Sequence, residues 1–137
     1  MIVDTNVVAY AFVGPEERHA EARRVLSLDG ELLAPDSLRV EYLSVVWQWS
    51  RRAAVAAEVA EEVFHDGLAA IDRYVPAADL EDLALALALE RDQSPYDTLF
   101  VALAVERDDV VATYDQALLA RFPDWCAEPA SLVGGDL

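Results

Sequence analysis

Three features of the sequence predict an α/β fold built on a parallel sheet. Short apolar runs at Ile2-Val3, Leu32-Leu33-Ala34, Tyr74-Val75 and Val110-Val111-Ala112-Thr113 read as strands. Segments with helical spacing of apolar residues separate them, and strands alternating with helices imply a sheet covered on both faces and joined by right-handed crossovers. The chain has 137 residues, 55% of them hydrophobic, which fits one domain over residues 1–137 with a substantial core.

The chain enters the sheet at once. Met1-Ile2-Val3-Asp4-Thr5-Asn6 is an apolar run ending in a carboxylate and two small polar side chains, so Asp4 stands at the C-terminal tip of the first strand. Open parallel sheets place ligands beyond the carboxyl ends of their strands. Asp4 or Thr5 is also suited to capping the helix predicted by Val7, Val8, Tyr10 and Ala11. Gly14-Pro15 ends that helix, and Glu16 to Leu28 forms a second one whose polar half carries His19 as a surface residue. Asp29-Gly30 turns the chain into a strand over Glu31–Ala34, stopped by Pro35.

Asp36 or Ser37 can cap a helix from Leu38 to about Arg52, with Leu38, Tyr42, Val45, Val46 and Trp49 on its apolar side. Glu41 lies at the border of that stripe. A carboxylate at the edge of a buried face needs either a partner or a wet cleft. A longer helix from about Ala53 to Arg73 makes an antiparallel hairpin with its predecessor, leaning off the sheet; His65 on it lacks partners at ligand spacing and reads as surface.

Tyr74-Val75-Pro76 is a third strand, and Asp79 is placed to cap a helix running to about Arg91. The Leu83–Leu89 run alternates Leu with Ala, but both are strong helix formers. That helix is apolar on more than one side, which implies deep burial or cover by a second copy of the chain. Ser94 as N-cap, Pro95 at the first helical position and Asp97 two residues on mark the next helix start. Val110–Thr113 is a fourth strand with Asp115 beyond its tip, Gln116 to Arg121 is helical, and a last strand falls around Trp125-Cys126-Ala127. Gly134-Gly135 begins a frayed tail.

The charge balance narrows the function classes. Lys and Arg total 10 against 26 Asp and Glu, a formal net charge of -16, and every Lys/Arg position is arginine. Unassisted binding to nucleic acid is disfavoured, because phosphate contacts need clustered positive charge. Cations, basic partners or a saline cytoplasm suit the balance better. A single cysteine, Cys126, agrees with a reducing compartment; no signal peptide or membrane-spanning run is evident, so a cytoplasmic location is expected.

Asp4 and Asp115 at strand tips, with Glu41 and Asp97 in helices that begin at the same edge, would bring four carboxylates together. Two like charges about 4 Å apart repel by roughly 4 kcal/mol at an effective dielectric near 20. Such a cluster must protonate, spread out or bind a cation, and hard oxygen donors suit Mg²⁺ or Mn²⁺. A bound ion would also bridge the acidic chain to a phosphodiester.

The N-terminal segment with Asp4, the Glu41 helix after Pro35, Tyr96-Asp97-Thr98-Leu99-Phe100-Val101-Ala102-Leu103-Ala104 and Thr113-Tyr114-Asp115 resemble the four acidic motifs of PIN-domain ribonucleases, and especially VapC-type toxins of prokaryotic toxin–antitoxin pairs. The resemblance spans nearly the whole chain. It implies a single PIN-like domain, with a four- to five-stranded parallel sheet and a protruding helical hairpin. It further implies a metal-dependent endoribonuclease of a type II pair in which Asp4, Glu41, Asp97 and Asp115 hold Mg²⁺ or Mn²⁺, usually a homodimer, silenced by a cognate antitoxin entering the acidic groove. Thr5, Asn6 and Thr113 are candidates for orienting the carboxylates or metal waters, and Arg39, Arg51 and Arg52 for contacting phosphate.

Other readings fit less well. A haloacid-dehalogenase-like phosphatase needs a second Asp two positions after the first, where this chain has Asn6, and a lysine the chain lacks; a phosphorelay receiver also relies on lysine. A non-catalytic acidic module docking an Arg-rich protein is the alternative from another class.

Overall fold

Five short strands, all parallel, lie in the order β3-β2-β1-β4-β5. They are β1 Ile2–Val3, β2 Leu33–Pro35, β3 Arg73–Val75, β4 Val111–Ala112 and β5 Cys126–Ala127. A computed structural model describes residues 1–134; the predicted tail lies, from Gly135 on, outside the described residues. In register, Ile2 sits between Leu33 and Val111, and Val3 faces Ala112. Both residues of β1 and of β4 are fully buried, as expected of parallel strands covered on both faces. The chain steps from β1 to β2 and β3 on one side and reaches β4 and β5 on the other. The order therefore reverses between β1 and β4, where open α/β sheets form a crevice beyond the strand tips.

Eight helices surround the sheet among the described residues: α1 Thr5–Phe12, α2 His19–Leu26, α3 Ser37–Ala53, α4 Ala57–Ala69, α5 Glu81–Arg91, α6 Pro95–Arg107, α7 Gln116–Arg121 and α8 Pro129–Val133. Helix α6 packs on β1, β2 and β4 through an almost wholly buried run from Phe100 to Ala104, and α5 packs on α6. Helix α1 gathers α2, α3 and α4 into a second group, with Val7, Val8 and Ala11 inaccessible to solvent. No helix among the described residues is long and apolar enough to cross a membrane.

Several element boundaries differ from the sequence reading for identifiable reasons. Pro35 ends β2 rather than excluding itself from it: the donor to Val75 is the N–H of Asp36, and β1 has already ended, so no missing N–H is felt. Asp36 occupies the N-cap position of α3, but its side chain accepts from the N–H of Ala77 (2.9 Å) and ties β2 to the chain beyond β3. Asp79 lies within a 3₁₀ turn, Ala77–Asp79, and does not cap α5. Ala54 adopts a left-handed conformation that closes α3, so the following helix starts at Ala57 and is over by Ala69, releasing Arg73 to β3. Ser94 does cap α6, with Pro95 in its first turn, and the short α8 was not anticipated.

The expected hairpin of α3 and α4 is fastened at one residue. Tyr42 is fully buried, donates its hydroxyl to the carbonyl of Val63 (2.7 Å) and stacks on Phe64 at 5.9 Å between centroids. Gly67 makes room for it: a Cβ there would stand 2.3 Å from the Tyr42 ring and hydroxyl. Because the ring cannot retreat from a packed core, Gly67→Ala is expected to destabilise by about 1–3 kcal/mol. Tyr42→Phe, which strips only the bond to Val63, is expected to cost about 0.5–1.5 kcal/mol. Urea unfolding of the two variants checks both magnitudes and their order.

Candidate functional site

All four acidic residues singled out in the sequence line one cleft of about 570 Å³, together with Thr5, Asn6, Ala9, Tyr10, Val13, Gly14, Ser44, Val45 and Arg52. Each arrives by a different route. Asp4 leaves the tip of β1 and is the N-cap of α1, accepting from the N–H of Thr5 at 2.7 Å, so capping and cleft placement coincide in one residue. Asp115 leaves the end of β4 and caps α7, with Oδ1 accepting from the N–H groups of Ala117 (2.9 Å) and Leu118 (3.1 Å). Glu41 stands one turn into α3, beyond β2, and Asp97 in the first turn of α6.

The three small polar residues proposed to orient these acids form a connected set. Thr113, fully buried, donates its hydroxyl to Asp4 Oδ2 (2.7 Å) while its oxygen accepts from Asn6 Nδ2 (3.2 Å) and from the N–H of Asp115 (3.0 Å). One donor and two acceptor sites are thereby all used, which fixes the direction of the hydroxyl proton. Asn6 Oδ1 accepts from the N–H of Tyr114 (3.1 Å), which turns its amide nitrogen toward Thr113 and Asp4 Oδ2 (3.4 Å). Thr5 reaches across to α3, its hydroxyl donating to Glu41 Oε2 at 3.2 Å. A single network thus holds Asp4, Glu41 and Asp115.

Known proteins resemble the chain over most of its length. Residues 1–124 match the model of the PIN domain. The chain is 32% identical over 127 residues to Ribonuclease VapC3 of Pyrobaculum aerophilum, an alignment covering 90% of this chain and 95% of that protein. The chain belongs to the PIN-domain family.

Within this PIN domain the acids perturb one another. Burial, more than any other cause, pushes Asp4 up to about 6; the charges of Asp97 and Asp115 add to the rise, and the bonds from Thr113 and Thr5 oppose it. Burial likewise pushes Glu41 up to about 7, aided by the charges of Asp4 and Asp97 and opposed by Thr5. Asp97 is raised by burial and then by Asp115, against the bond from Gln93. Among the described residues no ion pair neutralises any of the four. Nor are three His, Cys, Asp or Glu side chains already closed to a spacing that would hold a metal ion. Glu41 Oε1 is buried without a hydrogen-bond partner among the described residues, as is Ser37 Oγ. A hard divalent ion among oxygen donors would satisfy the Glu41 oxygen and relieve the repulsion. Glu41, Asp4, Asp97 and Asp115 are the side chains of this PIN domain available for that role.

Of the candidate phosphate contacts, only Arg52 lines the cleft. Arg39 lies over Tyr74 at 5.1 Å and Arg51 over the exposed Trp47 at 4.9 Å. The sequence reading missed Gln93, whose Nε2 donates to Asp97 Oδ2 at 2.7 Å; a lone amide ahead of a helix cap carries no spacing or charge signal.

The raised carboxylates make stability fall with pH. A folded state that holds protons more tightly than the unfolded chain is progressively destabilised as pH rises from the ordinary values near 4 to the shifted ones near 6 and 7. In the presence of chelator, melting temperature is expected to decline across that window. Glu41→Gln, which keeps an acceptor for Thr5 and removes the charge, is expected to flatten the decline and melt a few degrees higher at neutral pH. A titration of thermal melts against pH with both proteins checks the sign.

Proposed function

We propose that this PIN domain is an endoribonuclease that hydrolyses RNA phosphodiester bonds with Mg²⁺ or Mn²⁺, and that it is the toxin of a type II toxin–antitoxin pair acting in the cytoplasm. The observation that carries the reading is the set of four carboxylates on one cleft at the crevice between β1 and β4, with a buried Glu41 oxygen lacking any partner. Similarity to a protein named Ribonuclease VapC3 supports it.

Asp4, Glu41, Asp97 and Asp115 would hold the ion, which supplies a water of lowered pKa and charge stabilisation for the leaving oxygen. The chain's own residues set the geometry. Thr113 and the Thr5 N–H occupy the inner sides of Asp4, Thr5 fixes one oxygen of Glu41, and the cap of α7 fixes one oxygen of Asp115. Both oxygens of Asp4 keep only their spare lone pairs for the cleft, whereas Glu41 Oε1 and Asp115 Oδ2 receive no hydrogen bond among the described residues. Arg52 at the rim offers the positive charge for a neighbouring phosphate, and Tyr10, Val13 and Val45 give the same cleft an apolar wall suited to an unpaired base.

The cognate antitoxin is assigned an Arg-bearing amphipathic segment. Leu43, Val46, Trp47, Ala60 and Phe64 line an apolar groove of about 300 Å³ between α3 and α4, and Arg side chains of the segment would complement the acidic cleft. Exposed Leu85 and Leu89 on α5, 55% and 77% accessible, and Tyr96 at the start of α6 are assigned to a homodimer contact.

Purified protein is expected to cleave single-stranded RNA with Mg²⁺ or Mn²⁺ and not with chelator, and Asp4→Asn and Asp97→Asn each to lower the rate by more than about 100-fold. Cleavage that persists in both variants defeats the assignment. Intact RNA, no Mn²⁺ bound by calorimetry and tight binding of an Arg-rich peptide would instead select the docking module. For the dimer, light scattering is expected to give twice the chain mass, and Leu85→Glu with Leu89→Glu the single mass. A wild-type monomer at high concentration removes that contact.

A further inference from the structure

The geometry points to Gln93 and Arg121 as positioning residues for Asp97, a pair that fixes which oxygen of that carboxylate is free to face a divalent cation; the inference rests on the metal-dependent reading of the cleft. Gln93 is only 9% exposed and sits between α5 and α6, its backbone N–H donating to Ala88 and the next residue, Ser94, capping α6. Its side chain has two partners. Nε2 donates to Asp97 Oδ2 at 2.7 Å, and Oε1 accepts from Arg121 Nη1 at 2.7 Å.

The chemistry of the partners removes any choice in that arrangement. A guanidinium has donors only, so the amide oxygen must face Arg121 and the NH₂ must face Asp97. A flipped amide would set its oxygen against a carboxylate oxygen and its NH₂ against a cation. Arg121 is itself held: Nη1 also donates to the carbonyl of Asp92 (2.7 Å), and its own carbonyl accepts from Arg91 Nη1 (2.6 Å). Oδ2 of Asp97 is therefore engaged, and Oδ1 receives no hydrogen bond among the described residues.

The pair also closes a circuit. Arg121 is the last residue of α7, and Asp115 is the N-cap of the same helix. Two acids of one cleft are thus linked rigidly through six helical residues, one guanidinium and one amide. Gln93 and Arg121 are absent from the cleft wall, so their influence on a bound ion passes through Asp97.

Gln93→Glu separates positioning from simple fastening of the loop. Glutamate keeps an acceptor for Arg121, strengthened by charge, but offers Asp97 no N–H. Mn²⁺ affinity by calorimetry is expected to weaken about 10- to 100-fold in Gln93→Glu and in Gln93→Leu, with kcat on single-stranded RNA falling and KM little changed. Arg121→Met is expected to show part of that loss, and none in addition when combined with Gln93→Leu. In metal-free protein the Gln93 side-chain amide is expected as a protected, downfield pair in ¹H–¹⁵N spectra, lost in Arg121→Met and Asp97→Ala. Wild-type Mn²⁺ affinity in Gln93→Glu, with wild type binding the ion, overturns the positioning role alone. Equal losses of melting temperature and RNA affinity in Gln93→Glu and Gln93→Leu, without a change in Mn²⁺ affinity, also overturn it. A wild type that shows the protected amide but binds no Mn²⁺ overturns the metal reading, and this inference with it.

Discussion

The burial of Asp4 is the constraint around which the rest is arranged. Asp4 is 5% exposed at the tip of the central strand, among residues that exclude water, and no ion pair among the described residues reaches it. A carboxylate in that position stays ionised only through hydrogen bonds, and the sequence supplies them from both sides of the crevice. Thr5 and Asn6 come from its own chain segment and Thr113 from the neighbouring strand. The parallel pairing of β1 with β4 is what brings Thr113 within reach, since the N–H of Asp4 bonds to the carbonyl of Ala112. Sheet register and site geometry are therefore one fact. A slip of β4 by one residue would turn Thr113 to the opposite face and leave Asp4 with a single strong donor.

The distribution of arginine follows from the same economy of positive charge. Five of the ten lie over aromatic rings: Arg18 over Tyr10 and Tyr114, Arg23 over Phe12, Arg39 over Tyr74, Arg51 over Trp47 and Arg91 over Phe122. A planar guanidinium can stack and donate at once, which an ammonium cannot, and Arg23 does both by also bonding the carbonyl of Ala11. Arginines used in this way stabilise helix packing without neutralising the cleft. The chain carries a net charge of -16 and still places only one basic residue, Arg52, on the wall of the site.

How far the molecule was legible in its sequence depended on the kind of signal. Asp4 and Asp115 follow apolar runs, and a strand tip in a parallel sheet is a position with a defined direction, so their shared edge could be inferred. Glu41 was visible as a charge on the margin of an apolar stripe. Gln93 was not, because its role depends on an arginine 28 positions away and on an amide whose orientation no spacing reveals. The capping assignments for Asp36 and Asp79 failed for a related reason: an acid ahead of a helix is a good acceptor, but the nearest unsatisfied N–H in space can lie elsewhere, as Ala77 does for Asp36. Helix α8 was overlooked although Pro129 stands at its first position, a placement that favours a helix start; Glu128 before it makes no capping bond.

The cleft also shows what the fold leaves undone. A buried lysine or arginine among these acids would relieve their repulsion and raise the stability of the isolated chain, yet none is placed there. Instead three acids hold their protons unusually tightly, and Glu41 keeps a buried oxygen without a partner, each of which is destabilising at neutral pH. Sequences are otherwise consistent across levels of structure, and a local violation concentrated in one cleft marks a place selected for something other than folding. Here the violation has a definite chemical sign: an excess of oxygen donors with fixed orientations and a deficit of positive charge. On the proposed reading, a divalent cation would supply that charge without filling the cleft, as a lysine or arginine side chain would, and would leave room beside the acids for a phosphodiester.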